Sequence, residues 1–146
     1  MKEDTAQAYR LLMAEVYELA GRSRGTSAAI ARRYAQTAAG WHVLSVLEDS
    51  DVTVPGIARR LGQARQSVQR VAGGLLAAGL VQAVANPDHQ RSPLLRLTGD
   101  GRRLLRTLNQ DAAADRTARL AAAGLTTGQL DQARHVLRRL IGALGE

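Results

Sequence analysis

Near the start of the chain, apolar residues recur with helical spacing. Tyr9, Leu12, Met13, Val16 and Tyr17 fall on one stripe, which predicts a helix from about Thr5 to Gly21. The segment Arg22 to Thr26, with Gly21 before it and Gly25 inside it, reads as a break. Ser27 to about Ser50 reads as a second helical region, interrupted near Ala39-Gly40, with Trp41, Leu44 and Leu47 on one face. Thr53 then suits an N-cap, and Pro55 sits in a first turn, where its missing N–H costs nothing. A short helix burying Ile57, Ala58 and Leu61 ends at Gly62, a residue type favoured just past a helix C-terminus. Another starts near Gln63 or Ala64 and reaches about Ala78. Its stripe is Val68, Val71, Ala72, Leu75 and Leu76, and Gly79 stops it. Two short helices joined by a tight glycine turn form a helix-turn-helix unit.

The period then changes. Leu80 to Val84 suits a strand, Asn86 to Pro93 is polar and turn-rich, and Leu94 to Leu97 alternates, with Leu95 and Leu97 on one face. A hairpin directly after a helix-turn-helix is a wing. Thr98 caps a helix from about Gly99 toward Ala123, in which Gly101 reads as a mild weakness. Gly124 to Thr127 breaks the pattern. A last helix carries Leu130, Ala133, Val136, Leu137, Leu140, Ile141 and Leu144 on one face. The predicted fold is therefore mainly α with a small β-hairpin wing. The terminal helices are more apolar than a lone small domain needs; they pack on the central unit or pair with a second copy.

Composition narrows the chemistry. The chain has 146 residues, one domain of ordinary size. It has no cysteine, and its histidines, His42, His89 and His135, are scattered, so neither a metal site nor a cofactor is expected. No apolar stretch is long enough to span a membrane, and the first ten residues lack the apolar run of a signal peptide, so a cytoplasmic protein is expected. No nucleophile has a nearby base, and no GxSxG, GxGxxG or P-loop occurs, so an enzyme is not expected. The net charge is +7, carried by 19 arginines and one lysine. Between Gly56 and Arg106 nine arginines meet only two acids, Asp88 and Asp100, whereas the first 55 residues hold seven acids among six basic residues. A basic middle between balanced ends is the footprint of a polyanion-binding surface.

Five pieces stand in order: IARRLG, RQSVQRV, LLAAGLV, the NPDHQRSPLLRLT hairpin, and Gly101-Arg102. From about Trp41 to Leu105 this run resembles the MarR family of transcriptional regulators, and the flanking helices have the placement of that family's dimerisation helices. The resemblance implies one domain over residues 1–146, with dimerisation helices at about 1–35 and 110–146 and a winged helix-turn-helix at about 40–105. It implies a homodimer whose two winged heads grip successive major grooves of a palindromic double-stranded DNA operator. It also implies a repressor released by a small phenolic or lipophilic ligand.

Within that frame, Arg65, Gln66, Ser67, Gln69 and Arg70 avoid the apolar stripe and lie in the first turns of the recognition helix. Arginine forks onto guanine and glutamine onto adenine. In the wing, His89, Gln90 and Arg91 stand where family members often carry Asp-x-Arg. The arginine is kept and suits a minor groove; the aspartate is replaced by His89, with Asp88 one residue earlier. Ser45, Thr53, Arg59 and Arg60 are candidate phosphate contacts. Ala64 departs from the family's usual Ser or Thr, which leaves the cap role to Gln63 or Gly62. For a ligand, chemistry and implied position point to Tyr9, Met13, Tyr17, Tyr34, Trp41, His42 and Arg96. The competing reading is a winged-helix dimerisation or protein-interaction module without DNA binding. Its weakness is the polar, basic face from Arg65 to Arg70, which such a module has no need to keep.

Overall fold

The computed structural model describes residues 2–145. In chain order the elements are α1 (Lys2–Arg32), α2 (Ala38–Val46), β1 (Val52–Thr53), α3 (Val54–Leu61), α4 (Arg65–Ala77), β2 (Val81–Val84), β3 (Leu94–Leu97), α5 (Gly99–Ala122) and α6 (Thr127–Leu144). The chain divides into two compact units, Met1–Asn109 and Gln110–Glu146.

The first helix corrects the expected break. Residues 22–26 continue α1 without interruption. Gly21 and Gly25 are exposed, and a Glu18–Arg22 pair, with Arg22 Nε donating at 3.0 Å, spans one turn across the first of them. Thr26 turns its hydroxyl back onto the Ser23 carbonyl at 2.9 Å. Glycine lowers helix propensity but does not forbid the helix. The chain instead turns at 33–37, where Ala35 takes a left-handed φ of 56°. Thr37 then caps α2 by accepting from the Gly40 N–H at 3.0 Å, so Ala39-Gly40 is a first helical turn and not an interruption.

The first unit has a continuous core. Val43, Leu44, Leu47, Ile57, Val68, Leu95, Leu97, Leu105 and Leu108 are all buried. They come from α2, α3, α4, β3 and α5, so the helix-turn-helix and the hairpin share one interior. The Thr53 hydroxyl accepts from the Gly56 N–H at 3.1 Å, and Gly62 closes α3 in a left-handed conformation, as the sequence predicts. Leu76 departs from the expected stripe: it is exposed.

The sheet has one strand more than expected. Its order is β1-β3-β2, antiparallel throughout, with Val52 opposite Leu95, Thr53 opposite Leu94, and Val81 opposite Leu97. A two-residue strand has no periodicity of its own, so sequence pattern cannot reveal β1. Gly101 is also more than a weakness in α5. A side chain there would collide with the Leu80 carbonyl oxygen. That oxygen accepts from the Thr98 N–H at 3.1 Å, while the Thr98 hydroxyl donates to Gly79 O at 2.7 Å and accepts from Gly101 N–H at 3.1 Å. The entry to β2 is thus clamped onto the start of α5.

In the second unit, Gly124 adopts φ 69° and ends α5. Thr126 and Gln129 form a reciprocal capping box that starts α6. No α6 side chain is buried. Among the described residues, no helix is long and apolar enough to cross a membrane.

Candidate nucleic-acid interface

The recognition-helix residues and the wing arginine come together. A groove of about 400 Å³ runs between the start of α3, the outer face of α4 and the hairpin. Arg65, Gln66 and Gln69 line it from α4, and Arg91 and Ser92 line it from the wing. Val54, Pro55, Ala72, Leu76, Ala83, Pro93 and Leu95 supply its apolar lining, which accounts for the exposure of Leu76.

Arg65, Gln66, Gln69 and Arg91 are exposed, and Ser92 is half-buried. Val68, Ala72 and Leu75 turn inward, so Gln66, Gln69 and Arg70 turn outward, while Arg65 is exposed as the first residue of α4. Among the described residues, no carboxylate pairs with Arg65, Arg70 or Arg91. Arg70 is exposed on the same helix, and Ser67 is half-buried toward its inner side. The helix N-terminus carries no side-chain cap: Ala64 is the N-cap, and neither Gln63 nor Gly62 takes over that role. Gly62 is already committed to closing α3.

The wing loop is organised by a residue that sequence reasoning passed over. Asn86 accepts from the Asp88 N–H at 3.1 Å and donates to the Ser92 carbonyl at 2.9 Å, closing the loop at both ends. The signal was present in the Asn-Pro-Asp run, since asparagine side chains bond to backbone two residues on. His89 Nδ1 accepts from the Arg91 N–H at 3.3 Å, so the residue in the aspartate's place contacts the arginine backbone. Gln90 is exposed beside it. Thr53 is occupied as the α3 cap, and Arg59 and Arg60 are exposed on the last turn of α3. Ser45 donates its hydroxyl to the Trp41 carbonyl at 2.9 Å.

The seven ligand candidates are not gathered in this groove; none of them lines it. Trp41 is 4% exposed, with its indole N–H donating to Asn109 Oδ1 at 3.1 Å, so it is a core side chain bonded to α5. Tyr9, Met13, Tyr34 and His42 are half-buried, and Tyr17 is exposed on α1. Arg96 lies on β3 and forks onto Asp51, with bonds of 3.1, 3.2 and 2.6 Å. Hydrogen bonding from Arg96 holds the Asp51 carboxyl below the usual aspartate value, helped by the charges of Arg96 and Arg102, while partial desolvation opposes the shift. A carboxyl held low keeps its charge as the pH falls. The pair therefore persists through neutral pH and is lost only below the ordinary aspartate range.

A MarR-family model matches residues 37–92. An uncharacterised protein of Mycobacterium tuberculosis is 47% identical over 133 residues, covering 91% of this chain and 92% of the relative. The chain belongs to the MarR family. Solved MarR-family structures share its fold. A mutant MarR from E. coli complexed with operator DNA superposes with a TM-score of 0.72 at 19% identity, covering 89% of this chain and 93% of that one. The PcaV transcriptional regulator of Streptomyces coelicolor, in complex with its natural ligand, gives 0.64 at 25% identity, covering 84% and 88%. As a MarR-family winged helix, the chain has the fold of transcription regulators and not of enzymes.

Proposed function

We propose that this protein is a sequence-specific regulator of transcription that binds double-stranded DNA as a homodimer. The observation that carries the reading is the single groove that joins Arg65, Gln66 and Gln69 of the recognition helix to Arg91 of the wing. An exposed cationic and amide-bearing helix end fits the major groove, where bidentate pairs read base edges. A wing arginine fits the narrower groove beside it. Arg59, Arg70, Thr53, Ser67, His89 and Gln90 are the further contacts of this reading, chiefly to phosphate. In the dimer the helices at the two ends of the chain pair with those of a second copy, and the operator is a palindrome with half-sites about 34–36 Å apart. The protein acts in the cytoplasm as a repressor released by a small phenolic or lipophilic effector. Support for the effector is indirect: the PcaV structure holds its natural ligand. Tyr9, Met13, Tyr17, Tyr34, Trp41, His42 and Arg96 remain its candidate contacts.

The test is a titration of purified protein against the duplex upstream of its own coding sequence, at several salt concentrations. Affinity should fall steeply as salt rises, because neutralised phosphates release counterions. Arg65→Ala should cost about 1–3 kcal/mol on the cognate site and relax base preference. Arg91→Ala should weaken all sequences alike and make the salt slope shallower by about one. A flat salt response would instead favour the protein-interaction module.

A further inference from the structure

Very little backbone ladder joins the wing to the start of the helix-turn-helix. β1 pairs with β3 at only two positions, Val52 with Leu95 and Thr53 with Leu94. One step further along that register stand Asp51 and Arg96, and there a side-chain fork continues the pairing. Arg96 Nε donates to both Asp51 oxygens, and its second terminal nitrogen donates to Oδ2 at 2.6 Å. Two-pronged bonds of this kind fix orientation as well as distance. Arg102 donates to the Glu48 carbonyl at 3.4 Å on the same approach to β1.

What the fork connects gives it a consequence. Asp51 leads through Val52 to Thr53, the cap of α3. Arg96 lies on the strand that leaves the wing loop, five residues after Arg91. We propose that the Asp51–Arg96 pair is a positioning latch that holds Arg91 at the spacing from the recognition helix that duplex DNA requires. This inference rests on the DNA-binding reading above. Neither residue has to touch the nucleic acid.

The latch makes an unusual sign prediction. Asp51 is an acid beside a basic face, so Coulomb repulsion alone makes its removal favourable for binding a polyanion. A latch makes removal unfavourable. Asp51→Asn should therefore weaken operator binding, by about threefold or more, as expected for coupled neighbours. The loss should vanish when Arg91 is already alanine, because the latch acts through that side chain. The charge swap Asp51→Arg with Arg96→Asp should restore affinity. Amide hydrogen exchange across residues 91–97 should also be faster in Asp51→Asn than in the parent protein, with no DNA present.

Unchanged or tighter binding by Asp51→Asn would overturn the latch, and so would an equal loss in the Arg91→Ala background. If the parent protein binds no duplex at all, the proposed function fails. The exchange measurement then still decides the latch: faster exchange in the wing supports it, and unchanged exchange overturns it.

Discussion

The winged head and the C-terminal helix α6 carry similar apolar stripes and treat them in opposite ways. In the head, Leu44, Leu47, Ile57, Val68 and Leu108 are fully buried within the same unit. On α6, Leu130, Val136, Leu137, Ile141 and Leu144 are exposed, Ile141 at 60% and Leu144 at 68%. The part of α1 up to Leu19 behaves like α6, with Leu11, Tyr17 and Leu19 exposed. Helical periodicity says that a face wants cover. It does not say whether the cover comes from the same chain. The head answers the question internally, whereas the stripe on α6 stays exposed, and under the proposed function a second copy covers it.

The strongest way to break this contrast is to charge the α6 stripe. Leu137→Asp with Ile141→Asp should abolish the dimer while leaving the head folded. Each buried aliphatic side chain contributes about 1.5–3 kcal/mol. A two-fold interface counts every substitution twice. The loss is thus at least about 6 kcal/mol for the pair of changes. Light scattering should report a monomer, and operator binding should drop with it, since one head alone holds half the site. A variant that stays dimeric would place the interface elsewhere.

A second substitution should do the reverse, damaging the head and sparing α6. Gly101→Ala would push a methyl group into the Leu80 carbonyl oxygen, a backbone atom that cannot swing aside. Overpacking of this kind costs about 1–3 kcal/mol or more. Denaturant unfolding should show the loss. A neutral result would mean that the contact between β2 and α5 relaxes freely.

Gly101 also marks where sequence reading stops. As a glycine inside a helix it reads as a defect, because its reason lies on Leu80, distant in the chain. The same limit hid β1, whose two residues pair with a strand forty residues on. The Asp51–Arg96 fork is hidden for the same reason, since its partners stand 45 residues apart in the chain. What was legible was local or periodic: the Thr53 cap, the Gly62 stop, the alternation of Leu95 and Leu97, and the outward set of Arg65, Gln66 and Gln69. The misplaced break at residues 22–26 was a local signal too, but glycine there has only a propensity cost, and the Glu18–Arg22 pair helps carry the helix through it. That Arg91 meets the recognition helix across one groove required the fold.

The smallest expected effect concerns helix starts, where the two regions differ once more. Thr126 opens α6 with a full capping box, and in the head Thr37, Thr53 and Thr98 each accept from the third following N–H. The recognition helix lacks such a cap, because Ala64 has no oxygen to offer. Its backbone is nevertheless already extended as a cap requires, at φ −68° and ψ 142°. Serine fits there without rearrangement. Ala64→Ser should stabilise the head by about 1 kcal/mol. For a chain of this length that raises the melting temperature by about 2–4 °C. Operator affinity should hold or improve, since the added hydroxyl steadies the turn that presents Arg65 and Gln66. A higher melting temperature with weaker binding would show that the uncapped start serves the contact with DNA, by leaving free N–H groups for a phosphate that the serine oxygen displaces.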